Sequence, residues 1–238
     1  GNPLWSNNGG QSWTRPLTFW DSWGGCYDVA FSGPDRAWVL LGQANGFNGI
    51  ARTSDGGATW AVVEGAAAGL PARWSWTSQP PTSIVALSNT IVLATVAGAL
   101  YRSADGGATW ALVDDTTLYG DLLVDVGTAT TYAFSRLGVL QSLDQGQTWA
   151  LMAGSPALPG GDFDGVQESH LALATNGDLY ATRYTARAWQ GGDGGVYRLR
   201  AGTWTQLFSG INAAHVFDVA VDPTNSNRLA VVTNDNPW

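Results

Sequence analysis

The 238 residues predict an all-β protein built from repeated four-stranded antiparallel sheets. Three observations carry that expectation. Thirty-one glycines punctuate many short apolar runs, no useful amphipathic helix period is found, and one turn sequence recurs along the chain. Its best copies are Thr53-Ser54-Asp55-Gly56-Gly57-Ala58-Thr59-Trp60 and Ser103-Ala104-Asp105-Gly106-Gly107-Ala108-Thr109-Trp110. Worn copies run from Ser142 through Asp144 to Trp149 and from Ser6 through Asn8 to Trp13, and a remnant survives as Gly202-Thr203-Trp204. Asp or Asn accepts hydrogen bonds from nearby backbone, and Gly supplies positive φ at little cost. Trp then packs over the turn, a burial worth about 2–3 kcal/mol. Asn8, Trp13, Asp55, Trp60, Asp105, Trp110, Asp144 and Trp149 are therefore assigned to structure, because a catalytic residue is not needed in five copies.

The repeat tryptophans at 13, 60, 110, 149 and 204 are spaced 47, 50, 39 and 55 residues apart, a propeller-blade period. Residues 1–17 read as the last two strands of a blade. The next blade reads 26–31, 36–41, 49–53 and 59–63, with Gly33-Pro34-Asp35 as its first turn. Further blades read 83–87, 90–95, 99–102 and 109–113, then 121–126, 130–134, 139–141 and 148–152, then 170–174, 178–182, 195–199 and 203–207. Strands at 216–221 and 228–233 end the chain, joined by Asp222-Pro223-Thr224-Asn225. Trp5 and Trp38 fall in strands and read as packing residues, and Cys26 as a small core residue. The chain begins with two outer strands and stops after two inner ones. A ring closed by a blade shared between 1–17 and 216–238 would have about five blades and no open edge; the alternative is a piece of a larger propeller.

Composition bounds the partners. Net charge is -8, and all eleven basic residues are Arg, which argues against nucleic acid. No apolar run is long enough to span a membrane. No signal peptide is read, and the start within a repeat leaves room for an upstream segment. One cysteine gives no disulfide framework. No cofactor is indicated. A calcium site at Asp162–Asp164, or over 222–227, lacks a full ligand pattern. His170 and His215 begin strands without metal-ligand spacing.

Two groups of residues are candidates for chemistry. Long loops carry the tryptophans that the turns do not use: Trp20, Trp23, Trp74, Trp76, Trp189 and Trp238. Indole faces stack on the C–H faces of sugar rings, although long loops also bury their own aromatics. The inner strands repeat an acidic position, with Tyr27-Asp28-Val29-Ala30, Val124-Asp125-Val126 and Phe217-Asp218-Val219-Ala220 in alignment. Asp28, Asp125 and Asp218 are thus candidate catalytic carboxylates. Glycoside hydrolysis needs two, about 5–5.5 Å apart for retention or about 6.5–9.5 Å for inversion. The competing reading is that each caps backbone donors of a neighbouring blade.

The Ser-x-Asp-x-Gly-x-Thr-Trp copies resemble the Asp-box of sialidase-type β-propellers. The chain is most similar to xyloglucanase-type glycoside hydrolases. The second resemblance rests on Leu173-Ala174-Thr175-Asn176-Gly177-Asp178-Leu179-Tyr180, on Gly195-Val196-Tyr197-Arg198, and on Val219-Ala220-Val221-Asp222-Pro223-Thr224-Asn225. It implies an extracellular protein that acts on β-1,4-glucans such as xyloglucan, by inversion, with a polysaccharide or oligosaccharide as partner. That family takes one catalytic Asp from each of two seven-bladed propellers. Here about five repeats and one propeller are read, and the Thr-Asp-Ile-Gly-Gly segment that carries one of those residues has no match. No catalytic residue is therefore carried over; a second propeller or another chain could complete a site. A sialidase would need an arginine triad and an Arg-Ile-Pro segment, and the latter is absent. The alternative to a hydrolase is a non-catalytic glycan- or protein-binding propeller.

Overall fold

The computed structural model describes residues 4–15, 24–43, 48–71, 82–158, 169–183, 195–207 and 216–233. They form a β-propeller fold: four four-stranded antiparallel sheets, one two-stranded sheet, and a single 3-10 turn at Ala66–Ala68. The chain divides into two compact units, Gly1–Asp115 and Thr116–Trp238.

The first unit holds two full blades. Strands β1 (Gly24–Phe31), β2 (Ala37–Gln43), β3 (Asn48–Thr53) and β4 (Ala61–Val63) form one. The other comprises β5 (Ser83–Ala86), β6 (Val92–Val96), β7 (Ala99–Ser103) and β8 (Ala111–Asp114). Each sheet is a meander in chain order, as short turns between antiparallel strands dictate. Apolar side chains of the two sheets face each other. Trp38, Leu40 and Ile50 pack with Ile84, Val92, Ala94 and Tyr101. Trp38 is the largest of these and is 1% exposed. The loop after β4 closes over this core: Trp110 N–H donates to Ala68 O at 2.8 Å. A Cβ on Gly69 would lie 1.9 Å from Trp110 O, so only glycine permits that approach.

The second unit begins with β9 (Tyr119–Asp125), β10 (Thr130–Ser135), β11 (Gly138–Ser142) and β12 (Ala150–Leu151). Its next blade is β13 (Leu171–Leu173), β14 (Leu179–Arg183), β15 (Gly195–Arg200) and β16 (Thr203–Leu207). The two-stranded sheet is β17 (Val216–Val221) and β18 (Leu229–Thr233). Phe134 and Val139 pack with Leu171 and Leu179, and Tyr180 and Val196 pack with Val216 and Val219.

The N-terminal segment forms a short hairpin, bridged at Trp5 and Thr14. Trp5 is the packing residue expected, with its ring 5.4 Å from those of Phe31 and Trp60. Two expectations are corrected. Cys26 is exposed rather than in the core, because it sits on β1 just before a bulge. Trp13 stays 59% exposed, lying against Gly10, whereas Trp110 is 5% exposed and tied to the 64–71 loop.

Candidate functional site

The repeat turns are built alike. In the second copy Thr53 Oγ1 donates to Asp55 Oδ1 at 2.8 Å, and Gly57 N–H donates to Thr53 Oγ1 at 3.0 Å. Thr59 gives its N–H to Asp55 Oδ1 and its hydroxyl to Oδ2, at 2.9 and 2.5 Å. The same four bonds recur around Asp105 and around Asp144. In the first copy Asn8 keeps the geometry: Oδ1 accepts from Ser6 and Ser12, and the amide donates to Ser12 Oγ. Each of the three carboxylates is held at a pKa of about 2, for Asp55 and Asp144 chiefly by the threonine hydroxyl; for Asp105 the hydrogen bonds, led by Thr109, outweigh an opposing cost of burial. Such groups are ionised acceptors at neutral pH and have no proton to donate. Their role is to hold turns.

The inner-strand aspartates take a different form. In β1 the register slips between Cys26 and Asp28, leaving Tyr27 as an extra residue. In β17 it slips the same way between Val216 and Asp218. A bulge re-aims the side chain that follows it. Asp28 Oδ1 accepts the N–H of Val29 at 2.8 Å, and Oδ2 reaches the next blade, accepting Ile84 N–H at 2.8 Å and Ser83 Oγ at 3.0 Å. Asp218 Oδ1 accepts the N–H of Val219 at 2.8 Å. Asp218 is exposed, and its second oxygen has no hydrogen-bond partner among the described residues.

The third member of this set is Asp121, and the alignment of Asp125 with Asp28 is corrected. Within β9 the bulge falls at Gly120-Asp121, between the pairs Leu122–Ala133 and Tyr119–Ser135. Asp121 Oδ1 accepts Leu122 N–H at 2.9 Å, and Oδ2 accepts Leu171 N–H of the next blade at 2.8 Å. His170 Nδ1 stands 3.8 Å from the same oxygen. Asp125 ends β9 instead, and its oxygens accept Gly127 N–H and the Thr128 hydroxyl in the turn to β10. The Thr128 hydroxyl is the main cause of its lowered pKa. Sequence reasoning missed Asp121 because β9 contains two Asp-apolar steps. The usable signal was its place at the start of the strand rather than the end.

The remaining candidates divide simply. Trp20, Trp23, Trp74, Trp76, Trp189 and Trp238 lie outside the described residues, as do Asp162, Asp164 and His215. Asp222 is committed to Thr224 and to Arg228 Nη1 at 3.1 Å. Among the described residues no cluster of three His, Cys, Asp or Glu could hold a metal. No described helix is long and apolar enough to cross a membrane.

Sheets of this topology, packed face to face and clamped at their inner strands, define a β-propeller protein. Solved structures agree at the level of fold. An ancestral GH74 enzyme is similar over 98% of this chain and 32% of its own, at 21% identity and a TM-score of 0.64. The GH74 xyloglucanase of Xanthomonas campestris matches 89% of this chain and 35% of its own, at 16% identity and a TM-score of 0.62. YCF48, solved bound to the D1 peptide, matches 94% of this chain and 67% of its own, at 17% identity and a TM-score of 0.59. The chain therefore spans about a third of the length of the two GH74 enzymes. No protein-family model and no curated protein sequence matches it.

Proposed function

We propose that this chain is an extracellular, carbohydrate-binding propeller that recognises β-1,4-glucan or xyloglucan-type polysaccharide without cutting it through its inner-strand aspartates. The observation that carries the reading is the clamp geometry. Asp28 and Asp121 spend both oxygens on protein donors, one of them in the next blade. A general acid must present a proton to the leaving group, and a nucleophile or base must present a free oxygen. Asp28 and Asp121, saturated by protein donors, do neither; Asp218, whose second oxygen has no partner among the described residues, is the inner-strand aspartate left to test. The glycan side of the reading is supported by the loop tryptophans in a chain of few charges, and by the fold-level likeness to a GH74 xyloglucanase. A catalytic site, if this propeller served one, would draw on a second propeller or another chain.

Two measurements test this. In affinity electrophoresis, xyloglucan in the gel retards the protein. In a reducing-end assay on xyloglucan, neither the wild type nor Asp218→Asn releases sugar. Release by the wild type that Asp218→Asn abolishes would make the chain a hydrolase and overturn the proposal. A second reading is peptide binding. It draws on the likeness to YCF48, which spans two thirds of that protein as well as most of this chain. Absence of retardation by any β-glucan, together with binding to an extended peptide, would favour it.

A further inference from the structure

A recess on the turn side of the first unit has a chemistry that none of the above uses. It is about 200 Å³ in volume and is lined by Arg36, Arg52, Ser54, Thr59, Trp60 and Gly106. Arg36 leads into β2, Arg52 is in β3, and Gly106 belongs to the repeat turn of the following blade. Both guanidinium groups converge on that glycine. Arg52 Nη1 donates to Gly106 O at 3.2 Å, and a Cβ placed on Gly106 would lie 3.7 Å from Arg36 Nη1.

Two arginines therefore line one recess, and among the described residues no carboxylate pairs with either. Arg52 Nε is buried and has no acceptor. A buried donor without an acceptor is uncommon in folded proteins and calls for a ligand or an ordered solvent partner. The acidic groups close by are otherwise placed. Asp55 is saturated by Thr53 and Thr59, and Asp35 is exposed in the adjoining cleft.

That cleft, about 600 Å³, shares Arg36 and Ser54 with the recess and adds Ser32 and Asn89. The two share a wall at Arg36 and Ser54, and the recess adds Arg52 and the indole of Trp60. Guanidinium groups match planar carboxylates in a fork geometry, and an indole wall suits the C–H face of a sugar ring. We propose that this recess recognises the carboxylate of a uronic-acid sugar, with neighbouring sugar units of an acidic oligosaccharide lying along the cleft. The site uses none of the loop tryptophans and goes beyond the neutral-glucan reading. A small recess takes one ring and its charged group, since sites for larger ligands run to roughly 300–1,000 Å³.

The test is calorimetry with trigalacturonate, using cellotriose and an acidic peptide as comparison ligands. The wild type binds trigalacturonate, and its affinity falls as NaCl rises. Arg36→Gln weakens that binding about tenfold, the loss of one charge-assisted pair, while its Tm and its retardation by xyloglucan are unchanged. Arg52→Lys keeps the charge and loses the fork, and it also weakens binding. Equal affinity in wild type and Arg36→Gln overturns the site. Cellotriose binding that Arg36→Gln weakens as much as trigalacturonate binding overturns carboxylate recognition. Tighter, Arg36-dependent binding of the acidic peptide overturns the sugar assignment.

Discussion

The blade β5–β8 and the blade β13–β16 solve the same problem by different chemistry. Each must join its third strand to its fourth and hold the outer hairpin. In β5–β8 the joint is the long repeat turn, tied internally by Asp105 and Ser103 and capped from the preceding blade. Trp38 Nε1 donates to Gly106 O at 2.9 Å, with Gly107 directly beneath its ring. In β13–β16 the joint shrinks to Ala201-Gly202, with φ of 50° and 78°. Two positive φ values in a two-residue loop match the twist of antiparallel strands, so this hairpin needs no side-chain ties. An ion pair serves instead. Asp178, 4% exposed, precedes β14 and takes Arg200 Nε and Nη2 from the end of β15. The Arg200 hydrogen bond is the main cause of the lowered Asp178 pKa. The comparison teaches that the aspartate of the repeat is one of two ways to secure a blade. The other is a charge placed between strands when the turn is too short to hold one.

The largest expected effect breaks the first device from outside. Trp38→Ala removes a fully buried ring and the donor to Gly106, and costs about 3–5 kcal/mol. Trp204→Ala, on the half-buried outer strand of the other blade, costs less. Urea unfolding of both variants checks this, and an equal loss would sink the idea that the box-bearing blade depends on its neighbour. Next comes Arg200→Gln, which leaves the buried Asp178 carboxylate without its cation. The variant melts below the wild type, and the wild type alone loses ion-pair stabilisation as salt rises, because the Arg200 end is open to solvent. A melting series in NaCl reads both.

The smallest effect concerns acid. The folded pKa values of Asp55, Asp105 and Asp144 lie near 2, below the ordinary aspartate value of 3.8. A depressed folded pKa gives stability that is complete above the unfolded value. It fades as pH falls through roughly 4 towards 2. Asp105→Asn imitates the neutral Asn8 turn and flattens the Tm profile across that window, with little change at pH 7. A profile as steep as that of the wild type would show that these turns do not carry the acid sensitivity.

The sequence by itself determined the blade count within the described sheets and the position of every repeat turn. Those features are local: each bond of the turn joins residues two to four apart, so the spacing of Ser, Asp, Gly and Thr encodes it. Strand alternation is equally local, and Trp38 was legible as a packing residue for that reason. Only the tertiary structure decided which inner-strand aspartates correspond. A bulge is a property of two paired strands, and a slip of one residue separated Asp121, which clamps a neighbouring blade, from Asp125, which closes a turn. The convergence of Arg36 and Arg52 was illegible for a related cause. Both approach Gly106, 54 residues beyond Arg52, and only the packing of one blade on the next brings it there.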